Sequence, residues 1–142
     1  MTTFYMLDTN ICSFIMRERP ASVLQRLQDA VEAQDSIVIS VITYYEMLLG
    51  TIGRTASPRH AALVEAFVAR LSAILPWERT AAEEASRLRQ RLASQGTPIG
   101  SNDTMIAGHA LAAGCVLVTN NFREFSRVAG LSVEDWAGGQ GR

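Results

Sequence analysis

Apolar and polar positions alternate along this chain as short continuous runs separated by stripes of helical period, a pattern of buried strands between amphipathic helices. Phe4-Tyr5-Met6-Leu7 is an apolar run that stops at Asp8, and a second apolar segment begins at Ile11. This predicts a buried strand with Asp8 at its C-terminal tip, followed at once by a helix over 10–17. Val23, Leu24, Leu27, Ala30 and Val31 recur at helical spacing and predict a second helix, with Pro20 in its first turn. Ile37-Val38-Ile39 is a β-branched run and predicts a second strand over 36–40. A helix over 41–53 is expected next, its apolar positions being Val41, Ile42, Tyr45, Leu48, Leu49 and Ile52. Ser57-Pro58 opens another helix, running to about Ser72, with Leu63, Val64, Phe67, Val68 and Leu71 as its stripe.

Residues 73–76 read as a short strand at a sheet edge, where Pro76 is tolerated. Thr80-Ala81-Ala82-Glu83 matches the capping box and predicts a helix over 81–94, ended by Gly96. Ser101 is expected to cap a helix over 102–113 that Gly114 closes. Val116-Leu117-Val118 is an apolar strand ending in Thr119-Asn120-Asn121; a helical turn over 122–128 and a last strand over 131–133 complete the pattern. Strands alternating with helices imply a three-layer α/β fold on a mostly parallel sheet. One domain over 1–136 is expected, with a glycine-rich tail over 137–142 that frays.

Composition narrows the chemistry. The chain has 142 residues, 48% of them hydrophobic, which argues against disorder. No apolar run has the length of a membrane helix and no basic flank precedes the first one, so a soluble, unexported, cytoplasmic protein is expected. Cys12 and Cys115 fit no metal spacing and read as reduced core residues. Net charge is −1, so no basic field advertises nucleic acid. All thirteen basic residues are arginine, for which base composition of the genome is one explanation. The missing lysine excludes a P-loop lysine, a Schiff base and a lysine general base, whereas arginine suits bidentate phosphate contacts.

Candidate chemistry lies in the acids. Asp8 is either a helix cap or a ligand for something positive, delivered to the strand ends where α/β sheets bind ligands. Glu46 falls on the rim of its helix's apolar arc, where partial burial is unfavourable without compensation, although rim acids also pair with arginine. Asp103 lies in the first turn of its helix, favoured there by the dipole, and shares a face with Ile106, Ala107 and Ala110, so it points inward. Thr119 and Asn121 follow the fourth strand at the same edge as Asp8, Asn121 being also a plain turn residue. Like charges so close need a cation among them. Carboxylate and amide oxygens without cysteine or histidine clusters select Mg²⁺ or Mn²⁺, and with it phosphate chemistry. His60 and His109 are isolated and read as surface or satisfied residues.

Four segments resemble a known family: Tyr5-Met6-Leu7-Asp8-Thr9-Asn10, Tyr44-Tyr45-Glu46, Ser101-Asn102-Asp103-Thr104-Met105-Ile106-Ala107, and Leu117-Val118-Thr119-Asn120-Asn121-Phe122-Arg123-Glu124-Phe125. In this order they resemble the PIN-domain ribonucleases, and among these the VapC-type toxins of bacterial toxin–antitoxin pairs. The resemblance implies a Rossmann-like α/β/α domain with strand order 3-2-1-4-5 and an endoribonuclease acting on structured RNA, often a tRNA. It implies a VapB-type antitoxin whose C-terminal segment covers the site, within an assembly of toxin homodimers on operator DNA. It places Asp8, Glu46 and Asp103 as the acidic metal site, with Asn121 where the family has a fourth acid. Thr119, Asn10 and Glu124 would support that set from behind, and Glu124 is an alternative to Asn121 as fourth ligand. On this reading Asp8 and Asp103 touch the ion, while Glu46 and Asn121 hold water around it.

Arg79, Arg87, Arg89, Arg91, Arg123 and Arg127 are candidate RNA contacts, although Glu83 and Arg87 also make an ordinary helix pair. Tyr44, Tyr45, Met47 and Leu48 are apolar residues beside Glu46 that suit an antitoxin helix, a dimer contact or plain core packing. Two rivals remain. A haloacid-dehalogenase-type phosphotransferase also begins with Asp after a strand, but wants a second Asp where Asn10 stands, and usually a lysine. A PIN module that binds RNA or protein without cutting is the other, prompted by Asn121.

Overall fold

A computed structural model describes residues 2–138. Five strands, β1 (Phe4–Leu7), β2 (Ser36–Ser40), β3 (Ala73–Leu75), β4 (Val116–Val118) and β5 (Val133–Glu134), pair in the order β3-β2-β1-β4-β5. Every pairing is parallel. Seven helices flank them: α1 (Thr9–Met16), α2 (Ala21–Glu32), α3 (Val41–Leu49), α4 (Pro58–Ala69), α5 (Arg79–Ser94), α6 (Ser101–Ala113) and α7 (Phe122–Phe125). β3 is indeed an edge strand, as Pro76 requires.

The period-2 geometry of strands divides the core. Met6, Val38 and Leu117 face one way and pack with Leu88, Leu92, Ile106 and Phe125, from α5, α6 and α7. Leu7, Ile37, Ile39 and Val118 face the other way, against Ile11, Val23, Val64 and Trp136. Strands buried on both faces read as unbroken apolar runs, the signature of a covered parallel sheet. Within the first layer α5 and α6 approach closely: a Cβ on Gly108 would stand 2.5 Å from the Ala85 Cα. Only glycine fits there, and the contact fixes α6, which carries Asp103.

Several local expectations are corrected. α3 ends at Leu49, and Tyr45, Leu48, Leu49 and Ile52 are exposed, whereas Thr43 and Met47 are the buried residues of this helix. Of the expected stripe Ile42 packs partly against the core, but the face turned inward centres on Thr43 and Met47, and a threonine is invisible to an apolar pattern. The capping box does not form. α5 starts at Arg79 with Glu78 as N-cap, and the Glu83 carboxylate instead accepts from Arg79 Nε at 2.9 Å. Arg87 pairs with Glu84 at 3.2 Å and not with Glu83. Gly100 is the N-cap residue of α6 and Ser101 its first helical residue. Pro20 likewise stands just outside α2 as its N-cap residue.

The last strand lies at Val133–Glu134, where Arg26 reaches Glu134 at 2.7 Å and the buried Trp136 donates its indole N–H to the same carboxylate at 2.9 Å. After it, the backbone N–H groups of Ala137 and Gly138 donate to Asp135 Oδ1 at 2.9 and 3.1 Å. The rest of the 137–142 tail lies outside the described residues. Cys12 and Cys115 are buried free thiols. No described helix is long and apolar enough to cross a membrane.

Candidate active site

Register places the tips of β1 and β4 side by side, Leu7 opposite Val118. The Asp8 N–H continues the ladder onto Val118 O at 2.9 Å, and Thr119 N–H donates to Glu134 O at 2.9 Å. Asp8 and Thr119 therefore meet as the first residues past two adjacent strands. Asp8 is buried and its two oxygens have separate duties. Oδ1 accepts from the Ile11 N–H at 2.9 Å, which caps α1, and Oδ2 accepts from the Thr119 hydroxyl. Cap and candidate ligand, posed as alternatives by the sequence, are one residue: the cap bond fixes the orientation of the group.

Burial is the chief reason the Asp8 carboxyl is pushed up to about 6, against the opposing hydrogen bonds from Thr119 and Ile11; the charges of Asp103 and Glu46 push it further the same way. Asp103, half-buried in the first turn of α6, is also raised, first by burial and then by Glu124 and Glu46. Glu46, on α3, is held from two sides. Thr9, the first residue of α1, donates its hydroxyl to Oε1, and Asn102 donates its amide to Oε2 at 2.7 Å.

Asn121 follows Thr119, and its backbone N–H donates to the Thr119 hydroxyl at 2.9 Å. The Asn121 amide donates to Glu124 Oε1 at 3.0 Å, and the Glu124 charge is the one that raises Asp103 most after burial. Asn10, expected behind the acids, gives its amide to Asn120 Oδ1 at 3.3 Å.

Asp8, Glu46, Asp103 and Glu124 thus share one negative field drawn from the junction of β1 and α1, from α3, from α6 and from α7. Among the described residues no three carboxylate, histidine or cysteine side chains stand close enough to enclose an ion on their own. The donor set is nonetheless all oxygen, carboxylate with amide and hydroxyl, and half- to fully-buried carboxylates repel one another without a countercharge. Both features fit a hard divalent cation that keeps much of its water, as Mg²⁺ does. Thr9 and Asn102 carry no signal of this role in the sequence beyond each adjoining a candidate acid. His109 is satisfied, as expected: its Nδ1 lies 2.7 Å from Ser40 Oγ, its ring packs edge-on against Trp77, and burial lowers its pKa.

The family model for the PIN domain matches residues 5–131. The chain therefore belongs to the PIN-domain family. Within it, the chain is 43% identical over 133 residues to the tRNA(fMet)-specific endonuclease VapC of Shigella flexneri, covering 94% of this chain and 98% of that protein. It is 41% identical over 132 residues to the protein of the same name from Salmonella typhimurium, covering 93% and 97%. Among solved structures it superposes on VapBC2 of Rickettsia felis bound to a promoter DNA fragment, with TM-score 0.87, 31% identity and coverage of 94% and 99%. It also superposes on DNA-bound VapBC of Salmonella typhimurium, with TM-score 0.84, 41% identity and coverage of 96% and 99%. The expected fold, strand order and ribonuclease family all hold, and the haloacid-dehalogenase alternative is set aside.

Proposed function

We propose that this VapC-type ribonuclease is a divalent-metal-dependent endoribonuclease toxin that cleaves tRNA and is neutralised by a VapB-type antitoxin. The observation that carries the chemistry is the shared field of Asp8, Glu46 and Asp103, in which burial and mutual repulsion raise the carboxyls of Asp8 and Asp103. The reading takes Asp8 and Asp103 as the direct ligands of Mg²⁺ or Mn²⁺, with Glu46 and Asn121 completing the site. A bound ion there supplies activation of water and neutralisation of charge on the phosphoryl oxygens.

The chain's own residues hold the geometry. Thr119 fixes the plane of the Asp8 carboxylate, and Thr9 and Asn102 fix that of Glu46. Asn121 supports Glu124 without adding a charge of its own. No histidine contributes a base, so the products are expected to carry 5′-phosphate and 3′-hydroxyl ends, with no need for the substrate's 2′-hydroxyl.

The tRNA assignment draws on the names of the two relatives above 40% identity, both called tRNA(fMet)-specific endonucleases. The antitoxin and operator assignments draw on the DNA-bound VapBC assemblies. Tyr44, Leu48, Val64 and Val68 line a groove of about 340 Å³ between α3 and α4 that suits an apolar antitoxin segment. Exposed Tyr45, Leu49 and Ile52 beside it suit a second copy of the chain in a homodimer.

Pulsed expression of the protein and of Asp8→Asn, followed by sequencing of RNA 5′ ends, tests the function. New ends in one or a few tRNAs, absent from the Asp8→Asn sample, are expected. Asn121 favours one competing reading, a module that binds RNA without cutting it; no new ends in either sample would favour that reading.

A further inference from the structure

The amide that holds Glu46 comes from Asn102, the residue directly before Asp103. We infer that Asn102 is a positioning residue of the active site, orienting the Glu46 carboxylate toward the divalent cation without cancelling its charge. The inference rests on the metal reading above and extends it to a residue outside the acidic set.

A glutamate side chain has freely turning torsions, and at the partly exposed position of Glu46 packing constrains its terminal group less than in a core. Two donors from different elements supplement that packing. Thr9 projects from the first turn of α1, one residue after Asp8, and Asn102 projects from the first turn of α6, one residue before Asp103. Each donor is therefore placed by the same helix start that places an acid. A movement of α1 or α6 carries an acid and the orientation of Glu46 together, which keeps three carboxylates from separate elements in register.

The choice of an amide has a chemical reason. An arginine at this position would hold Glu46 equally well, but its positive charge would offset the field that attracts a cation. An amide donates one hydrogen bond to Oε2 and leaves the carboxylate with its full negative charge. Each carboxylate oxygen has two lone pairs; Thr9 and Asn102 take one on each oxygen and leave one on each free. Outer partners of this kind, when removed, weaken metal binding by about tenfold to a hundredfold.

The test is Mn²⁺ binding, followed through the paramagnetic resonance of free Mn²⁺, to the full chain and to Asn102→Leu, Glu46→Gln and the double variant. Asn102→Leu is expected to weaken Mn²⁺ binding about tenfold, with the protein still folding cooperatively in EDTA. In the Glu46→Gln background the same substitution is expected to add nothing, because its effect passes through Glu46. Asn102→Ala, which removes the donor with less change of shape, is read by the same measurements should leucine disturb folding. Unchanged Mn²⁺ affinity in the Asn102 variants, or the same loss with and without Glu46, would overturn this role alone. Failure of the unmodified protein to bind Mn²⁺ would overturn the metal reading and this role with it.

Discussion

The Thr119 hydroxyl donates to Oδ2 of Asp8, joining the tips of β4 and β1 across 111 positions of sequence. That bond exists because the two strands are parallel neighbours ending level with each other, so their first non-strand residues meet. The site is thus a consequence of strand order: β1 lies at the centre of the sheet, and the residue after it is buried between flanking elements.

Burial of Asp8 makes the metal-free protein pH-sensitive. The unfolded carboxyl ionises near 3.8 and the folded one near 6, so between these values the native state keeps a proton that the unfolded state has released. Stability therefore falls as pH rises through this window, by an amount on the order of 2–3 kcal/mol, and stays lower above it. Asp8→Asn removes the effect while keeping a residue that caps helices. In EDTA the variant is expected to melt above the wild type at pH 7.5, and the gap is expected to shrink toward pH 4. Equal melting temperatures at pH 7.5 would show that the buried carboxylate costs nothing.

Divalent cations are expected to reverse that penalty. At a hundredfold excess over Kd, Mg²⁺ or Mn²⁺ stabilises the folded state by about 2.7 kcal/mol through mass action. Thermal melts across a metal titration should rise for the wild type and stay flat for Asp8→Asn. A flat wild-type series would count against the site.

Much of this was legible in the sequence, for physical reasons that vary with the element. β1, β2 and β4 were clear because strands covered on both faces are apolar throughout; the position of Asp8 was legible because it stops such a run, and that of Asp103 because it shares a helix face with Ile106, Ala107 and Ala110. The buried face of α3 was not, because Tyr45, Leu48, Leu49 and Ile52 are apolar yet exposed, and periodicity cannot distinguish a face turned to the core from an exposed one. Local charge competition was equally invisible: Arg79 captured Glu83 and left the capping box unmade. Glu124, expected as a supporting residue or as an alternative to Asn121, is after burial the foremost charge acting on Asp103, and it accepts from the Asn121 amide. Side-chain partners joined across more than fifty residues, such as Asn102 and Glu46, leave no periodic trace.

Asn121→Asp adds a carboxylate at the position where the resemblance implies a further acid. It replaces the amide donor to Glu124 with a like charge, so the metal-free protein should lose stability at pH 7.5. With one more oxygen anion in the site, Mn²⁺ affinity should rise. Isothermal titration and melting in EDTA read the two effects; a variant that gains stability without metal would contradict the assignment of Asn121 to this cluster.

Gly108→Ala tests the support beneath Asp103. The added methyl would meet Ala85 backbone atoms at 2.5 and 2.7 Å, so α5 and α6 must separate. Overpacking of this kind costs about 1–3 kcal/mol, and the shift moves the helix that carries Asp103. A lower urea midpoint with weakened Mn²⁺ binding is expected. An unchanged midpoint would mean that the close approach is not needed.

The account stands most directly on cleavage of purified tRNA by the purified protein, compared with Mg²⁺, with excess EDTA, and with Asp8→Asn in Mg²⁺. Discrete fragments with 5′-phosphate and 3′-hydroxyl ends are expected in the first reaction and in neither of the others. Fragments that persist in EDTA, or that Asp8→Asn makes as fast as the wild type, would contradict a cation held by converging carboxylates.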